Sequence, residues 1–255
     1  MVKNWLLTAV CLLLISHSQK CLADDPNAQA EALYASGNQL EEARKYDDAK
    51  AAYQQVLQQY PDSPFAAGAT LHLSRFNVLS LIASGKGKSA EPEIADMTSR
   101  FAGHPDMPWY LYGIGNQYEE LRRNDDAKAI YERILKQYPD SPVAPGARMH
   151  FSRYNVLSFI ASGNDANAWS EIADITTRLP NHPDYQWFLR GVEDKYREMN
   201  KYEEAENIYQ KIIQRFPDNN SLSDYARLQT AKLDIFRLLD NDNIEDANAA
   251  IAKMR

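Results

Sequence analysis

The chain has 255 residues, 44% of them hydrophobic and 25% charged, the balance of a folded globular or repeat protein. Its net charge is −7, and the segment from Met1 to Ala23 holds Lys3 and Lys20 without an acid, so the remainder carries −9. Such a surface, with no local cluster of Lys and Arg, repels phosphate backbones and anionic lipid, which argues against a nucleic-acid partner.

At the N-terminus, Lys3 precedes an apolar run from Trp5 to Ile15, and Cys21-Leu22-Ala23 offers a small-residue cleavage site before Asp24. This reads as a secretory signal, residues 1–23, cleaved after Ala23. The run is about 11 residues, short of the roughly 20 that a spanning helix needs, so no integral membrane span is expected after cleavage. Both cysteines, Cys11 and Cys21, fall within this leader. A mature chain without them has no disulfide and no thiolate chemistry.

From about Gln29 onward the chain repeats itself. Tyr60-Pro61-Asp62-Ser63-Pro64 returns as Tyr138-Pro139-Asp140-Ser141-Pro142, and weakly, after the same interval again, as Phe216-Pro217-Asp218. Arg75-Phe76-Asn77-Val78-Leu79-Ser80 returns as Arg153-Tyr154-Asn155-Val156-Leu157-Ser158, and His104-Pro105-Asp106 as His182-Pro183-Asp184. Residues 24–255 therefore form one repeat domain, in tandem units at about 29–106, 107–184 and 185–255.

Each unit divides into two helical hairpins. In the second, Leu111, Ile114, Gly115 and Tyr118 recur on one helical face, and Ala127, Ile130, Tyr131, Ile134 and Leu135 form the stripe of the next helix. Asn124-Asp125-Asp126 between them predicts the turn and the N-cap, and Pro139 the end. Small residues at Gly115 and Ala127 allow close approach, with Tyr118 and Tyr131 filling the space beside them. The second half of the first unit predicts helices over about Ala66 to Ala83 and Ala90 to Phe101, joined by a longer turn at Ser84 to Lys88. The whole gives six hairpins, or twelve helices.

The series Leu111-x2-Ile114-Gly115-x2-Tyr118-x8-Ala127-x3-Tyr131-x2-Ile134-x4-Pro139 resembles the tetratricopeptide signature. It recurs as Leu33, Gly37, Leu40, Ala49, Tyr53, Val56 and Pro61. The third copy is Leu189, Val192, Tyr196, Ala205, Tyr209, Ile212 and Pro217, with Glu193 in place of the glycine. The boundary motifs are also similar to bacterial envelope proteins of this family, namely outer-membrane assembly lipoproteins and the cell-division coordinators of the Tol–Pal system. The resemblance implies an all-α, right-handed superhelical solenoid with a concave groove. It also implies a partner protein or extended segment bound in that groove, in the periplasm or as a secreted protein.

Positions that line the groove in this family are held by Tyr34, Asn38, Trp109, Tyr112, Asn116, Trp187, Arg190, Asp194 and Arg197, with Arg75, Arg153 and Lys232 as basic counterparts in the second halves. Aromatic and arginine anchors of this kind suit peptide or helix recognition. An accessory subunit that docks by its convex face or end hairpins, with self-association through those ends, is the alternative.

Catalytic, cofactor and metal sites are not expected. His72 with His150, and His104 with His182, stand a full repeat unit apart, with no His-Glu-x-x-His, so they read as interhelix and turn hydrogen-bonding residues. Gly85-Lys86-Gly87-Lys88-Ser89 has Ile82 where a phosphate loop needs glycine, and reads as a flexible turn. The pairs Glu41-Glu42, Glu119-Glu120 and Glu203-Glu204 read as solvated surface. A cell-wall-active enzyme lacks any catalytic constellation here.

Overall fold

The computed structural model describes residues 25–217 and 220–253, and the leader, with its proposed cleavage site, lies outside them. Among the described residues there are twelve α-helices and no strand. In chain order they are α1 (Pro26–Glu42), α2 (Tyr46–Gln59), α3 (Ala66–Ala83), α4 (Gly87–Arg100), α5 (Met107–Glu120), α6 (Asn124–Gln137), α7 (Ala144–Ala161), α8 (Asp165–Arg178), α9 (Tyr185–Glu198), α10 (Tyr202–Arg215), α11 (Asn220–Asp240) and α12 (Ile244–Lys253). The chain divides into two compact units, one up to Tyr110 and one from Leu111 onward.

The first helix starts where local chemistry favours it. Pro26 occupies the first turn, where its missing N–H costs nothing, and Asp25 Oδ1 accepts from the Asn27 N–H at 2.9 Å. Each of the six hairpins then turns in the same way. In the first, the N–H of Arg44 bonds Glu41 O and the N–H of Lys45 bonds Leu40 O, the pair of bonds that closes a Schellman motif. The residue in the left-handed conformation is Arg44, Gly85, Arg122, Gly163, Asn200 or Asp242 in turn, with φ between 55° and 75°. Glycine reaches that region freely, whereas a side chain there strains the backbone.

This geometry moves two expected helix starts. Arg123, not Asn124, is the N-cap of α6, because Arg122 already takes the left-handed position and the helix begins at Asn124. Asp125 and Asp126 sit in the first turn, and Arg123 Nε bonds Asp126 Oδ2 at 2.7 Å. Likewise α4 starts at Gly87, ahead of the expected Ala90, because the reversal is complete at Gly85. The Gly85–Ser89 stretch is thus a short turn followed by a helix start. Helix α3 spans the expected residues.

The turns between hairpins repeat as well. Ser63 N–H bonds Tyr60 O and Ala66 N–H bonds Ser63 O, and the same pair joins Ser141 to Tyr138 and Ala144 to Ser141. At the His-Pro-Asp junctions, His104 Nδ1 accepts from the Asp106 N–H at 3.3 Å and His182 Nδ1 from the Asp184 N–H at 3.2 Å. Both histidines therefore serve as turn residues.

The core of each unit follows the signature. Tyr53, Ala49 and Val56 of α2 are fully buried in the first unit, together with Ala69 of α3, and Phe76 of α3 is buried beside them. In the second unit Leu111, Ile114 and Tyr118 of α5 face Ala127, Tyr131 and Ile134 of α6, and all are buried. A Cβ at Gly37 would stand 2.5 Å from the Tyr53 ring, and one at Gly115 2.7 Å from the Tyr131 ring. The glycines are sockets for tyrosine rings, which is why the signature couples the two residue types.

Candidate functional site

In the first unit the end of α1, the middle of α3 and the start of α5 converge on Glu41. Arg75 donates from NH2 to Glu41 Oε1 at 2.7 Å, and His72 Nδ1 lies 3.1 Å from the same oxygen. The hydroxyl of Tyr110 lies 2.8 Å from His72 Nε2, and that of Tyr34 3.1 Å from the same nitrogen. The Arg75 guanidinium is 4.9 Å from the Phe76 ring centre and 4.8 Å from that of Tyr110.

The second unit repeats the plan with different partners. Glu119 Oε2 lies 2.8 Å from His150 Nδ1 and 3.2 Å from the Tyr131 hydroxyl, while Oε1 accepts from Tyr154 OH at 2.5 Å. Burial alone would raise the Glu119 carboxyl, but His150 and the two hydroxyls outweigh it and hold the group below its ordinary value. Arg153 turns away and lies 4.4 Å over the Trp187 ring. The side chains of Glu41 and Glu119 are only 14% and 17% exposed, so the first members of these two acidic pairs are not solvated surface, whereas Glu203 of the third pair is exposed. Glu42 and Glu120 are exposed as expected. The sequence signal for the difference was the common spacing of Glu41/Glu119, His72/His150 and Arg75/Arg153.

The expected groove residues separate into two groups. Tyr34, Tyr112, Asn116 and Arg153 make internal contacts. A Cβ at Gly68 would meet the Tyr34 hydroxyl at 2.7 Å, and one at Gly146 the Tyr112 hydroxyl at the same distance. Burial pushes the Tyr112 hydroxyl up to about 12, with Asp184 and Glu119 adding to it. Asn116 Oδ1 accepts from Tyr131 OH at 2.7 Å, as Asn38 Oδ1 does from Tyr53 OH. Arg153 packs against Gly191.

The others line two open clefts, one in each unit. Asn38, Arg75 and Trp109 line a cleft of about 430 Å³ with Glu41, Glu42, Tyr46, His72, Asp106 and Tyr110. Trp187, Arg190, Asp194, Arg197 and Lys232 line the larger one, of about 730 Å³, with Gln186, Glu193, Tyr225, Gln229 and Phe236. In this second cleft Arg197 NH2 donates to Asp194 Oδ1 at 3.0 Å and its guanidinium lies 4.8 Å from the Phe236 ring. Glu193 is 5% exposed and accepts from Tyr209 OH at 2.7 Å, taking the hydroxyl that the asparagines take in the earlier copies. Arg190 and Lys232 have no ion-pair partner among the described residues. Gln229 is 7% exposed. Sequence reasoning missed Glu193, Tyr225, Gln229 and Phe236 here. The replacement of the signature glycine by Glu193 was the one visible sign.

Among the described residues no group of three or more His, Cys, Asp and Glu is placed to hold a metal ion, and no helix is long and apolar enough to cross a membrane.

The model of the tetratricopeptide repeat family matches residues 31–63, 110–141 and 196–219. These three segments carry the tetratricopeptide repeat. The matched segments coincide with α1–α2, α5–α6 and the end of α9 with α10, while α3–α4, α7–α8 and α11–α12 are hairpins of the same turn geometry outside them. Among solved structures, a tetratricopeptide repeat protein from Parabacteroides merdae is 18% identical over 88% of this chain and 78% of its own, with a TM-score of 0.50. PilF of Pseudomonas aeruginosa is 15% identical over 90% of this chain and 91% of its own, with a TM-score of 0.47. YrrB, described as a TPR protein with an unusual peptide-binding site, is 18% identical over 82% and 96%, with a TM-score of 0.46. No curated protein matches the chain. Tetratricopeptide repeats are generally protein–protein interaction scaffolds.

Proposed function

We propose that this tetratricopeptide protein is a non-catalytic scaffold of the bacterial cell envelope that holds a partner protein or an extended segment. The observation that carries this reading is the cleft of about 730 Å³ in the second unit. Its two cations without an ion pair among the described residues, Arg190 and Lys232, line it together with Trp187, Tyr225, Gln229 and Phe236. Aromatic and cationic side chains of this kind suit a partner that supplies acceptors and apolar surface. The leader, with Lys3, the apolar run Trp5 to Ile15 and the site after Ala23, supports export to the periplasm or beyond.

The test is capture of partners from envelope extract by the wild-type chain and by an Arg190→Glu, Lys232→Glu variant. These two side chains are preferable to Arg75 and Arg153, which are built into internal packing. A partner held by wild type and lost by the variant, with unchanged circular dichroism, supports the reading. Equal recovery removes the cleft from the interface. An accessory role through the end hairpin is favoured by Leu239, Ile244 and Ile251, which are 42%, 61% and 38% exposed on α11 and α12. Loss of the same partner on Ile244→Asp would select that reading.

A further inference from the structure

The smaller cleft of the first unit has the opposite charge to the larger one. Four of its lining residues are ionised at neutral pH with histidine uncharged: Glu41, Glu42, Asp106 and Arg75. Arg75 is matched by Glu41 at 2.7 Å, which leaves Glu42 and Asp106. No basic side chain among the described residues pairs with Glu42, and Asp106 has only His104 Nδ1, 3.8 Å away. Acids alone on a helical surface are ordinarily just solvated. Here they border exposed aromatic faces, since Trp109 is 53% and Tyr46 49% exposed.

The unit already shows what such a setting binds. Arg75 lies between the rings of Phe76 and Tyr110 with its charge met by Glu41, and Lys50 Nζ lies 5.3 Å from the Phe76 ring centre. A cation over a ring face with a carboxylate beside it is stabilised by both. Asp106 and Glu41 also act on a neighbouring hydroxyl. The Tyr34 hydroxyl is raised above its ordinary value by burial first, and then by Asp106 and Glu41.

We propose that the first-unit cleft receives a lysine or arginine side chain of a bound protein segment, seated against Trp109 and Tyr46 with Glu42 and Asp106 supplying the countercharge. The proposal rests on the scaffold reading only in taking the ligand to be a protein side chain. It assigns to this unit a preference opposite to that of the cleft around Arg190 and Lys232. A partner that fills both clefts carries basic residues for one and acidic residues for the other.

The test uses the full chain, labelled with nitrogen-15, and three end-capped hexapeptides in which glycine alternates with arginine, lysine or glutamate. Affinities come from calorimetry. The arginine and lysine peptides are expected to shift the Trp109 indole N–H saturably, and the glutamate peptide to leave it unmoved. Trp109→Ala, and separately the double variant Glu42→Gln with Asp106→Asn, are expected to weaken the arginine peptide by about threefold to tenfold. Glu42 and Trp109 are exposed and the Asp106 side chain is 46% exposed, so the fold is expected to be retained, as unchanged circular dichroism would show.

Absence of a saturable shift, an equal shift with the glutamate peptide, or unchanged affinity in both variants overturns the proposal. If the cationic peptides fail while Arg190→Glu, Lys232→Glu abolishes partner capture, the scaffold reading stands and this assignment falls. If the peptides bind and no envelope partner is captured, the assignment stands without the scaffold reading.

Discussion

Glu119 and Arg197 are each the penultimate residue of their helices, α5 and α9, and hold the same position in successive copies of one repeat. Around Glu119 the slot is closed, with a carboxylate, a histidine and two tyrosine hydroxyls packed together. Around Arg197 the histidine has become Gln229, the second tyrosine has become Leu233, and the space is an open cleft with Arg197 tied to Asp194. One backbone position thus serves internal packing in one copy and lines an open cleft in the next. The repeat dictates where the side chain points, and the residues it meets decide whether that place is filled or left open.

The sharpest way to break this contrast is to delete both side chains in turn. Glu119→Ala leaves His150 and Tyr154 without their shared acceptor, while Tyr131 keeps Asn116, and is expected to lower stability by about 3 kcal/mol. Arg197→Ala, whose side chain is 37% exposed, is expected to cost less than about 1 kcal/mol. Urea denaturation measures both, and similar losses would mean that the Arg197 slot is as tightly packed as the other.

Next in size is the tyrosine socket. Gly115→Val places new atoms against the Tyr131 ring, whose nearest carbon is already 2.7 Å from where a Cβ would be, and should cost about 2 kcal/mol. The third copy tolerates a glutamate at this position because Glu193 accepts from Tyr209 OH. Glu193→Gly is therefore expected to destabilise by about 1 kcal/mol, through the hydroxyl left without its acceptor. A stabilising Glu193→Gly would show that glycine is the better residue in every copy.

The Glu119 node also has a pH signature. Its carboxyl is held below the ordinary value of 4.5, so the folded chain binds fewer protons there than the unfolded chain. This stabilisation is fully present above that value and is lost as pH falls through the lower folded one. Glu119→Gln should flatten the acid limb of the stability–pH curve, whereas Arg197→Gln should leave its shape unchanged. Thermal unfolding across the acid range reads both.

The smallest expected effect lies in the turns. Arg122 holds a left-handed φ of 57° with its side chain exposed, so Arg122→Gly is expected to raise stability by about 0.5 kcal/mol. Asn200→Gly, from a residue that tolerates this conformation better, should gain less. A loss at Arg122 would reveal a side-chain contribution that outweighs the backbone strain.

Much of this was readable in the chain. The coupling of Gly37 to Tyr53 and of Gly115 to Tyr131 follows from small and large residues at matching repeat positions, and α3 fell on its expected residues. The start of α6 did not, because Asn and Asp at a helix entry suggest a side-chain cap. The turn instead closes by backbone bonds around an arginine in an unfavoured conformation, which composition does not announce. Glu41 and Glu119 were hidden for another reason. Their partners lie 31 to 35 residues away, so the burial depends on how one hairpin meets the next. The cleft residues Gln229 and Phe236 escaped for the same reason, lying in a half-unit whose alignment is shifted by one residue.

The six identical chain reversals also bear on how such a molecule lengthens. Each is closed by two main-chain bonds local to the turn, and none depends on the composition of the helices it joins. A stretch of gene copied from one turn to the equivalent turn therefore inserts whole hairpins with both ends already competent to fold back. Selection is then free to rework the interior of the new copy, as the change from Glu119 and His150 to Arg197 and Gln229 illustrates, without having to reinvent the joint.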